Sequence, residues 1–180
     1  ALAHNWRWLR DRSGVTAGAA IKADAYGLGA RKAMSSLHDA GCRDFFVSVW
    51  SEAAELGPVP EGAGVVVLHG IGPDEVELAL SQKPRPVLNT VEQVARWKQA
   101  APGRACDVMV DTGMNRLGLR PDQVAILDGL AIDTLHSHLA CADEDHALNA
   151  SQLQRFRDIA SSVRARRHSL ANSAAICLGR

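Results

Sequence analysis

The chain has 180 residues, of which 47% are apolar and 22% charged, and its 20 basic side chains are balanced by 20 acidic ones. This length is enough for a domain with a substantial core, and the composition is that of an ordinary soluble globular protein. The charge balance excludes the strongly basic face of a nucleic-acid-binding protein. No apolar run approaches the ~20 residues of a membrane-spanning helix, so neither nucleic acid nor a membrane is expected as a partner.

The cysteines lie far apart in the sequence, and no two of them form a Cys-x-x-Cys pair. This spacing argues against a zinc cluster and, in a chain of this size, against a disulfide framework. We therefore expect reduced, mainly buried thiols and a cytoplasmic location. The four residues are Cys42, Cys106, Cys141 and Cys177.

Predicted helices and strands alternate along the whole chain. Helices are predicted at 1–14, 30–40, 51–56, 73–80, 91–100, 121–130 and 149–166, with Ser51 and Thr90 as N-caps. Strands are predicted at 17–21, 44–49, 65–68, 86–88, 105–110, 134–139 and 169–171. The last helix is amphipathic, and the residues expected on its buried face are Leu153, Phe156, Ile159 and Val163.

This alternation with short connections predicts a parallel α/β sheet of about seven β/α units in one domain. A dinucleotide-binding fingerprint is absent after the first strand, because Gly27 and Gly29 are followed by Lys32 at the third glycine position. Residues of chemical character follow the strands instead: Lys22, His69, Asp111, His138 and Ser173. Such a distribution suits the C-terminal mouth of a (β/α)₈ barrel, although periodicity alone does not choose between a barrel and a doubly wound sheet.

The first stretch of interest runs from Ala20 to Gly29 and reads Ala-Ile-Lys-Ala-Asp-Ala-Tyr-Gly-Leu-Gly. Lys22 is expected at the end of a buried strand, where burial favours the neutral, nucleophilic amine that forms Schiff bases with aldehydes. The alternative is a strand-end lysine that reaches water. The stretch resembles the lysine motif of alanine racemases, which use pyridoxal 5'-phosphate (PLP). The resemblance implies that Lys22 carries PLP and that Tyr26 reaches its phosphate.

A second motif, Val110 to Gly118, leads from a strand end into a glycine-containing loop that presents Arg116. A guanidinium there can grip a carboxylate through two parallel hydrogen bonds, although a surface loop arginine is the alternative. The motif again resembles alanine racemase, which implies that Arg116 contacts the cofactor's phenolic oxygen and the substrate carboxylate. Many family members have a carbamylated lysine that hydrogen-bonds this arginine, where this chain has Met109. Methionine makes no such hydrogen bond, so the motif does not indicate which group holds the Arg116 side chain in place.

A third motif, Leu135 to Glu144, carries two histidines that are predicted to share one face of a strand, His136 and His138. With the neighbouring carboxylates they offer a minor alternative of a metal site, and a second alternative is a core histidine satisfied by hydrogen bonds. The segment resembles the racemase segment whose histidine packs against the pyridine ring. By that resemblance His138 binds the cofactor, and no metal is expected.

The fourth motif is His168 to Ala174, in which a strand leads into Asn172 and Ser173. A hydroxyl and backbone N–H groups suit phosphate binding, whereas a turn with a helix cap is the alternative. The resemblance assigns Ser173 to the cofactor phosphate and Asn172 to its neighbourhood.

Taken together, the four motifs imply an alanine-racemase-like N-terminal domain over residues 1–180. Its fold would be a (β/α)₈-type (TIM-like) PLP-binding barrel, incomplete in this chain. Family members continue with an eighth strand carrying Arg-Pro-Gly and with a C-terminal β domain, which we expect to be absent here. That domain supplies a catalytic tyrosine across a homodimer interface.

The implied function is that of a PLP-dependent racemase, an isomerase that interconverts L- and D-alanine through a lysine-bound aldimine and supplies D-alanine for the cell wall. One alternative is a non-catalytic single-domain PLP-binding protein or an inactive racemase fragment. Another is a PLP-dependent amino-acid decarboxylase, which these motifs fit poorly.

Overall fold

The computed structural model describes residues 1–179, in which helices and strands alternate as predicted. The strands are β1 (Ala19–Ala20), β2 (Asp44–Val47), β3 (Gly64–Val67), β4 (Arg85–Leu88), β5 (Cys106–Met109), β6 (Ile132–His136) and β7 (Arg167–Ser169). They follow one another in the sheet in the order of the chain, and every pairing is parallel. The predicted parallel α/β architecture with seven strands is therefore confirmed.

The helical segments connect these strands. They are α1 (Leu2–Ser13), α2 (Lys22–Gly27), α3 (Ala30–Asp39), α4 (Trp50–Glu55), α5 (Val76–Ser81), α6 (Val91–Ala100), α7 (Ala147–Ser162) and α8 (Ser173–Leu178), with 3₁₀ helices at Pro73–Glu75 and Pro121–Leu127. None of the helices between residues 1 and 179 combines the length and the apolar character needed to cross a membrane.

Several predicted boundaries are wrong in instructive ways. The segment 121–130 is a 3₁₀ helix that ends at Leu127, because Asp128 has an extended backbone with ψ 136°. Thr90 is the N-cap of α6 as predicted, and its hydroxyl accepts the Gln93 N–H. Ser51 is not a cap, because α4 already begins at Trp50.

Backbone contacts divide the chain into two compact units. The first comprises residues 1–70 and 74–86, and the second comprises residues 71–73 and the chain from Val87 onward. β4 starts in the first unit and ends in the second.

In the first unit, β1, β2, β3 and the start of β4 pair side by side. Three of the four residues of β3 are buried, which is typical of a parallel strand covered on both faces. The core includes Phe45, Val66 and Trp50, and the Trp50 indole N–H donates to the Gly70 carbonyl at 2.9 Å. Burying an indole without an acceptor would cost free energy, so this bond belongs to the core.

In the second unit, the end of β4 pairs with β5, which pairs with β6 and through it with β7. Fully buried side chains of this core are Leu88, Trp97, Val108 and Leu135. An additional parallel bridge joins Val110 to Leu119 just beyond β5.

Candidate functional site

Lys22 lies directly after β1, at the first position of α2. The preceding Ile21 is 2% exposed, and its N–H donates to the Phe46 carbonyl at 2.8 Å, which fixes the strand end against β2. The prediction of a buried strand ending at Lys22 is wrong. β1 is only two residues long, its Ala20 is exposed, and Lys22 is partly exposed because Ile21 takes the buried position.

The backbone after Lys22 forms a left-handed turn, which we call the lysine turn (Ala23–Tyr26). Its four residues have φ between 50° and 56°, although none of them is glycine. Each such residue costs roughly 1–2 kcal/mol relative to a right-handed conformation. Strain of this kind persists only where the surroundings hold it and is concentrated at functional sites. The turn leaves Tyr26 67% exposed.

Glu52, from outside the turn, and Asp24, from within it, hold the turn in place. The Ala23 N–H donates to Glu52 Oε1 at 2.8 Å, and the Ser48 N–H donates to Glu52 Oε2 at 2.6 Å. Asp24 Oδ1 accepts the Ala30 N–H at 2.7 Å and so joins the turn to the start of α3. Sequence reasoning missed Glu52, whose only signal was an acidic residue in the first turn of the helix that follows the next strand.

A cleft of about 660 Å³ opens in the first unit between the lysine turn and α4. Its lining includes Asp24, Arg31, Glu52 and Leu56, but neither Lys22 nor Tyr26. Three polar side chains of the lining already bond within the chain: Asp24 and Glu52 accept backbone N–H groups, and Arg31 Nε donates to the Glu55 carbonyl. We therefore do not assign the cleft to the predicted cofactor.

In the second unit, residues 111–118 form a loop that we call the arginine loop. Asp111 Oδ1 accepts three backbone N–H groups, from Gly113 at 2.9 Å, Met114 at 2.9 Å and Asn115 at 3.1 Å. Gly118 closes the loop with φ 121°, and a Cβ there would lie 2.7 Å from the Asp111 nitrogen. Only glycine fits at that position without a backbone shift.

Arg116 sits at the exposed tip of the arginine loop. Within residues 1–179 its side chain has no hydrogen-bond or ion-pair partner. Met109, at the position where many family members carry a lysine, packs its Cγ 3.1 Å from the place a Gly118 Cβ would take. The loop backbone is thus organised by Asp111, and the guanidinium is available to a ligand.

The two histidines of the third motif occupy different environments. β6 ends at His136, so the predicted strand to Leu139 is too long and His138 follows the strand. His136 is buried with Nε2 3.1 Å from Oδ2 of the fully buried Asp107, which is the core arrangement considered as an alternative. His138 is partly exposed, and its carbonyl accepts a hydrogen bond from Gln152 at 2.9 Å. Among the described residues, no group of three His, Cys, Asp or Glu side chains is placed to hold a metal ion.

In the fourth motif, Asn172 lies three residues after the strand end, because β7 is Arg167–Ser169 and not 169–171 as predicted. Asn172 is the N-cap of α8, and its Oδ1 accepts the Ala175 N–H at 3.0 Å. The amide oxygen is therefore used by the cap, as in the alternative interpretation. Ser173 is exposed at the first position of this six-residue helix.

The candidate site residues form two groups, one in each unit. Lys22 and Tyr26 belong to the first unit; Arg116, His138, Asn172 and Ser173 belong to the second. Within the second unit, Leu139 next to His138 packs with Ala175 of α8. Ser137 and Thr112 join their hydroxyls at 2.8 Å, so the arginine loop also contacts the segment that carries His138.

Comparisons with known proteins agree on one family. The sequence profile described as "Alanine racemase, N-terminal domain" matches residues 1–180. The alanine racemase of Rhizobium meliloti (strain 1021) is 41% identical over 191 residues, which cover 99% of this chain and 50% of the relative. The alanine racemase of Acidiphilium cryptum (strain JF-5) is 40% identical over 190 residues, which cover 99% of this chain and 53% of the relative.

Solved structures give the same result. The alanine racemase of Bartonella henselae with covalently bound pyridoxal phosphate superposes with a TM-score of 0.89 at 31% identity, covering 99% of this chain and 54% of that one. The biosynthetic alanine racemase of Pseudomonas aeruginosa gives a TM-score of 0.85 at 31% identity, covering 97% and 52%.

These matches confirm the predicted fold class, a (β/α)₈-type barrel domain with seven of its strands among the described residues. The chain spans about half the length of the relatives it matches. By its sequence profile, its relatives and its fold, the chain belongs to the alanine racemase N-terminal domain family.

Proposed function

We propose that the chain forms the cofactor-binding part of a PLP-dependent alanine racemase, an isomerase that interconverts L- and D-alanine. The main observation in its support is the strained lysine turn directly after Lys22, which Glu52 stabilises through two hydrogen bonds. The family membership supports it, as does the name of the Bartonella henselae structure, which records covalently bound pyridoxal phosphate in that protein.

The chemistry of the donor set fits a phosphorylated aldehyde. Lys22 offers a partly exposed primary amine, and the exposed hydroxyls of Tyr26 and Ser173 are hydrogen-bond donors for a phosphate. His138 offers a ring that can pack against a pyridine. Asn172 is a neighbour of the phosphate rather than a ligand in this proposal, because its amide oxygen caps α8.

Each residue then has a defined task. When bound, PLP supplies an electron sink that stabilises negative charge at the α-carbon of an amino acid. Lys22 would hold the cofactor covalently before the substrate binds, and its amine, once released, would move the α-proton on one face of the substrate. Arg116, with its free guanidinium, holds the substrate carboxylate through two hydrogen bonds and orients the α-carbon.

Racemisation also needs a group that moves the proton on the opposite face. The chain has a single tyrosine, Tyr26, which the proposal already uses for the phosphate. We place the second base, a tyrosine, in a C-terminal β domain within the half of the relatives' length that this chain does not match, and we propose that a homodimer brings it to the site. Residues 1–180 then make up one domain.

The cellular setting is part of the same proposal. None of the four cysteines forms a disulfide within residues 1–179, which suits a reducing cytoplasm. D-alanine made there would be used in cell-wall peptidoglycan.

The deciding experiment is a visible absorbance spectrum of the purified full-length protein with PLP, before and after borohydride, with mass mapping of the modified peptide. We expect absorbance that borohydride removes, a pyridoxyl label on Lys22, and D-alanine formed from L-alanine. A label on another lysine would overturn the assignment of Lys22, and labelled Lys22 without D-alanine would overturn the racemase activity.

One observation favours the alternative of a PLP-binding protein without racemase activity. The guanidinium of Arg116 lacks a brace because Met109 cannot hydrogen-bond it in the way a modified lysine would. This alternative predicts full labelling of Lys22 and no exchange of the alanine α-proton with deuterated water. α-Proton exchange with retained L-configuration would instead indicate that Lys22 transfers the proton on one face of the substrate and that the second base is missing.

A further inference from the structure

Helix α7 buries two polar side chains on its packed face. Asn149 and Gln152 are 3% and 0% exposed, and they continue the line of the buried Phe156 and Ile159. The predicted face was different, because Leu153 is only partly buried and Val163 lies beyond the helix end. A buried amide is costly unless all its hydrogen-bonding groups are used, so its partners indicate why it is there.

Gln152 uses both ends of its amide. Its Nε2 donates to the His138 carbonyl at 2.9 Å and to Thr112 Oγ1 at 3.2 Å, and its Oε1 accepts the Ala140 N–H at 2.9 Å. Thr112 belongs to the arginine loop, whereas His138 and Ala140 belong to residues 137–141, which we call the histidine segment. One side chain therefore bonds both segments that carry candidate site residues of the second unit.

The hydroxyls beyond Gln152 extend this connection. Ser137 Oγ lies 2.8 Å from the Val110 carbonyl, to which its single proton is donated. Thr112 Oγ1 must then donate to Ser137 Oγ, at 2.8 Å, and accept from Gln152. The result is a buried chain of hydrogen bonds with one direction, from α7 through both segments to Val110, just beyond β5.

We infer that Gln152 is a positioning residue that fixes the arginine loop and the histidine segment relative to each other. An amide suits the place because it supplies two donors and one acceptor, whereas a carboxylate supplies no donor and an apolar side chain supplies neither. Arg155, one turn along α7, adds a hydrogen bond from its Nη1 to the Thr112 carbonyl at 2.8 Å. The consequence for Arg116 and His138 as ligand-binding groups rests on the proposed function, but the coupling of the two segments does not.

Hydrogen exchange of the PLP-free full-length protein tests the coupling. For Gln152→Met, which keeps the length of the side chain, we expect amide exchange in both 111–118 and 137–141 to be roughly tenfold faster, as for the loss of a buried hydrogen bond. Ile159→Ala is the matched control, because it removes apolar volume from the same helix face without touching the hydrogen bonds. Equal acceleration of the two segments in both variants, or unchanged exchange in Gln152→Met, would overturn the inference.

Binding data on the PLP-loaded protein complete the test. We expect Gln152→Met to change the visible circular dichroism of bound PLP and to raise KM for alanine roughly tenfold more than Ile159→Ala does. If the unmutated protein binds no PLP, the proposed function fails, while the exchange data still decide the coupling. Should Gln152→Met fail to fold, Thr112→Val removes one link of the same chain at similar volume, and exchange unchanged in both segments would contradict the inference.

Discussion

The lysine turn and the arginine loop are both irregular segments with a defined backbone conformation, and they are stabilised in different ways. Each follows a strand end and presents a basic side chain. The arginine loop takes its shape from within, through Asp111 and a glycine at its tightest position, although Gln152 of α7 also bonds it from outside. The lysine turn uses no glycine among its four left-handed residues and depends on Glu52, 29 positions away from Ala23. The conformation of a loop that is organised by its own residues can be recognised from a short sequence motif. The left-handed backbone of the lysine turn is strained, and residues distant in the sequence must stabilise it.

Removing the lysine amine is the sharpest test of the lysine turn. Lys22→Ala should abolish the visible absorbance of bound PLP, because the covalent link is lost. Lys32→Ala, which removes another lysine of the first unit, is the control and should leave the spectrum unchanged. Retained lysine-linked absorbance in Lys22→Ala would contradict the cofactor assignment.

Removing the outside support tests whether the turn depends on it. Glu52→Ala leaves the Ala23 and Ser48 N–H groups without their carboxylate acceptor, and we expect a loss of about 2–4 kcal/mol in the free energy of unfolding. Urea denaturation measures this loss. Glu55→Ala, an exposed side chain of the same helix, should change stability by less than about 0.5 kcal/mol. Similar values for the two variants would show that the turn holds itself.

Removing the Arg116 side chain should leave the backbone of the arginine loop unchanged, because that backbone does not depend on the guanidinium. Arg116→Ala is expected to lower kcat/KM for alanine roughly tenfold to a hundredfold while PLP affinity changes little, as for a lost charged hydrogen-bond pair. Steady-state kinetics and PLP titration measure the two effects. Equal losses in both would point to a structural role for Arg116.

The internal organisation of that loop is tested at its glycine. Gly118→Ala combines a φ of 121° with a contact of 2.7 Å to the Asp111 nitrogen, whereas Gly62→Ala has φ 75° and nothing within 4 Å. We expect Gly118→Ala to cost about 1–3 kcal/mol more than Gly62→Ala in thermal or urea unfolding. A difference near zero would mean that the loop can widen without cost.

The smallest expected effect lies outside both regions. Burial raises the pKa of the Cys42 thiol to about 11 from its ordinary 9.0. Because the folded state keeps its proton when the unfolded state has lost it, the free energy of unfolding should fall as the pH rises from about 9 to about 11. Cys42→Ala should flatten that slope, and an unchanged slope would show that other groups cause the pH dependence.

Alkylation below pH 9 should modify the exposed Cys177 well before Cys42.

The sequence predicted the succession of elements because apolar periodicity is a local property, as in α3 and α6, whose ends lie within one residue of the prediction. It misplaced β1 and Lys22, because which of two neighbouring residues is buried depends on strand pairing with β2. It also missed Glu52 and Gln152. Their partners lie 29 and 40 residues away in the chain, and no pattern in a single sequence encodes such pairs.

The base of the arginine loop has a consequence for how this protein can change. Asp111 donates its N–H to the Leu119 carbonyl at 2.8 Å, and Leu119 donates to the Met109 carbonyl at 2.9 Å, so the loop leaves and returns at one point. An exposed side chain near its tip, such as Leu117, can therefore be exchanged without disturbing the strands. Variation in natural relatives and in directed evolution should accumulate at Leu117 and spare Asp111, Arg116 and Gly118.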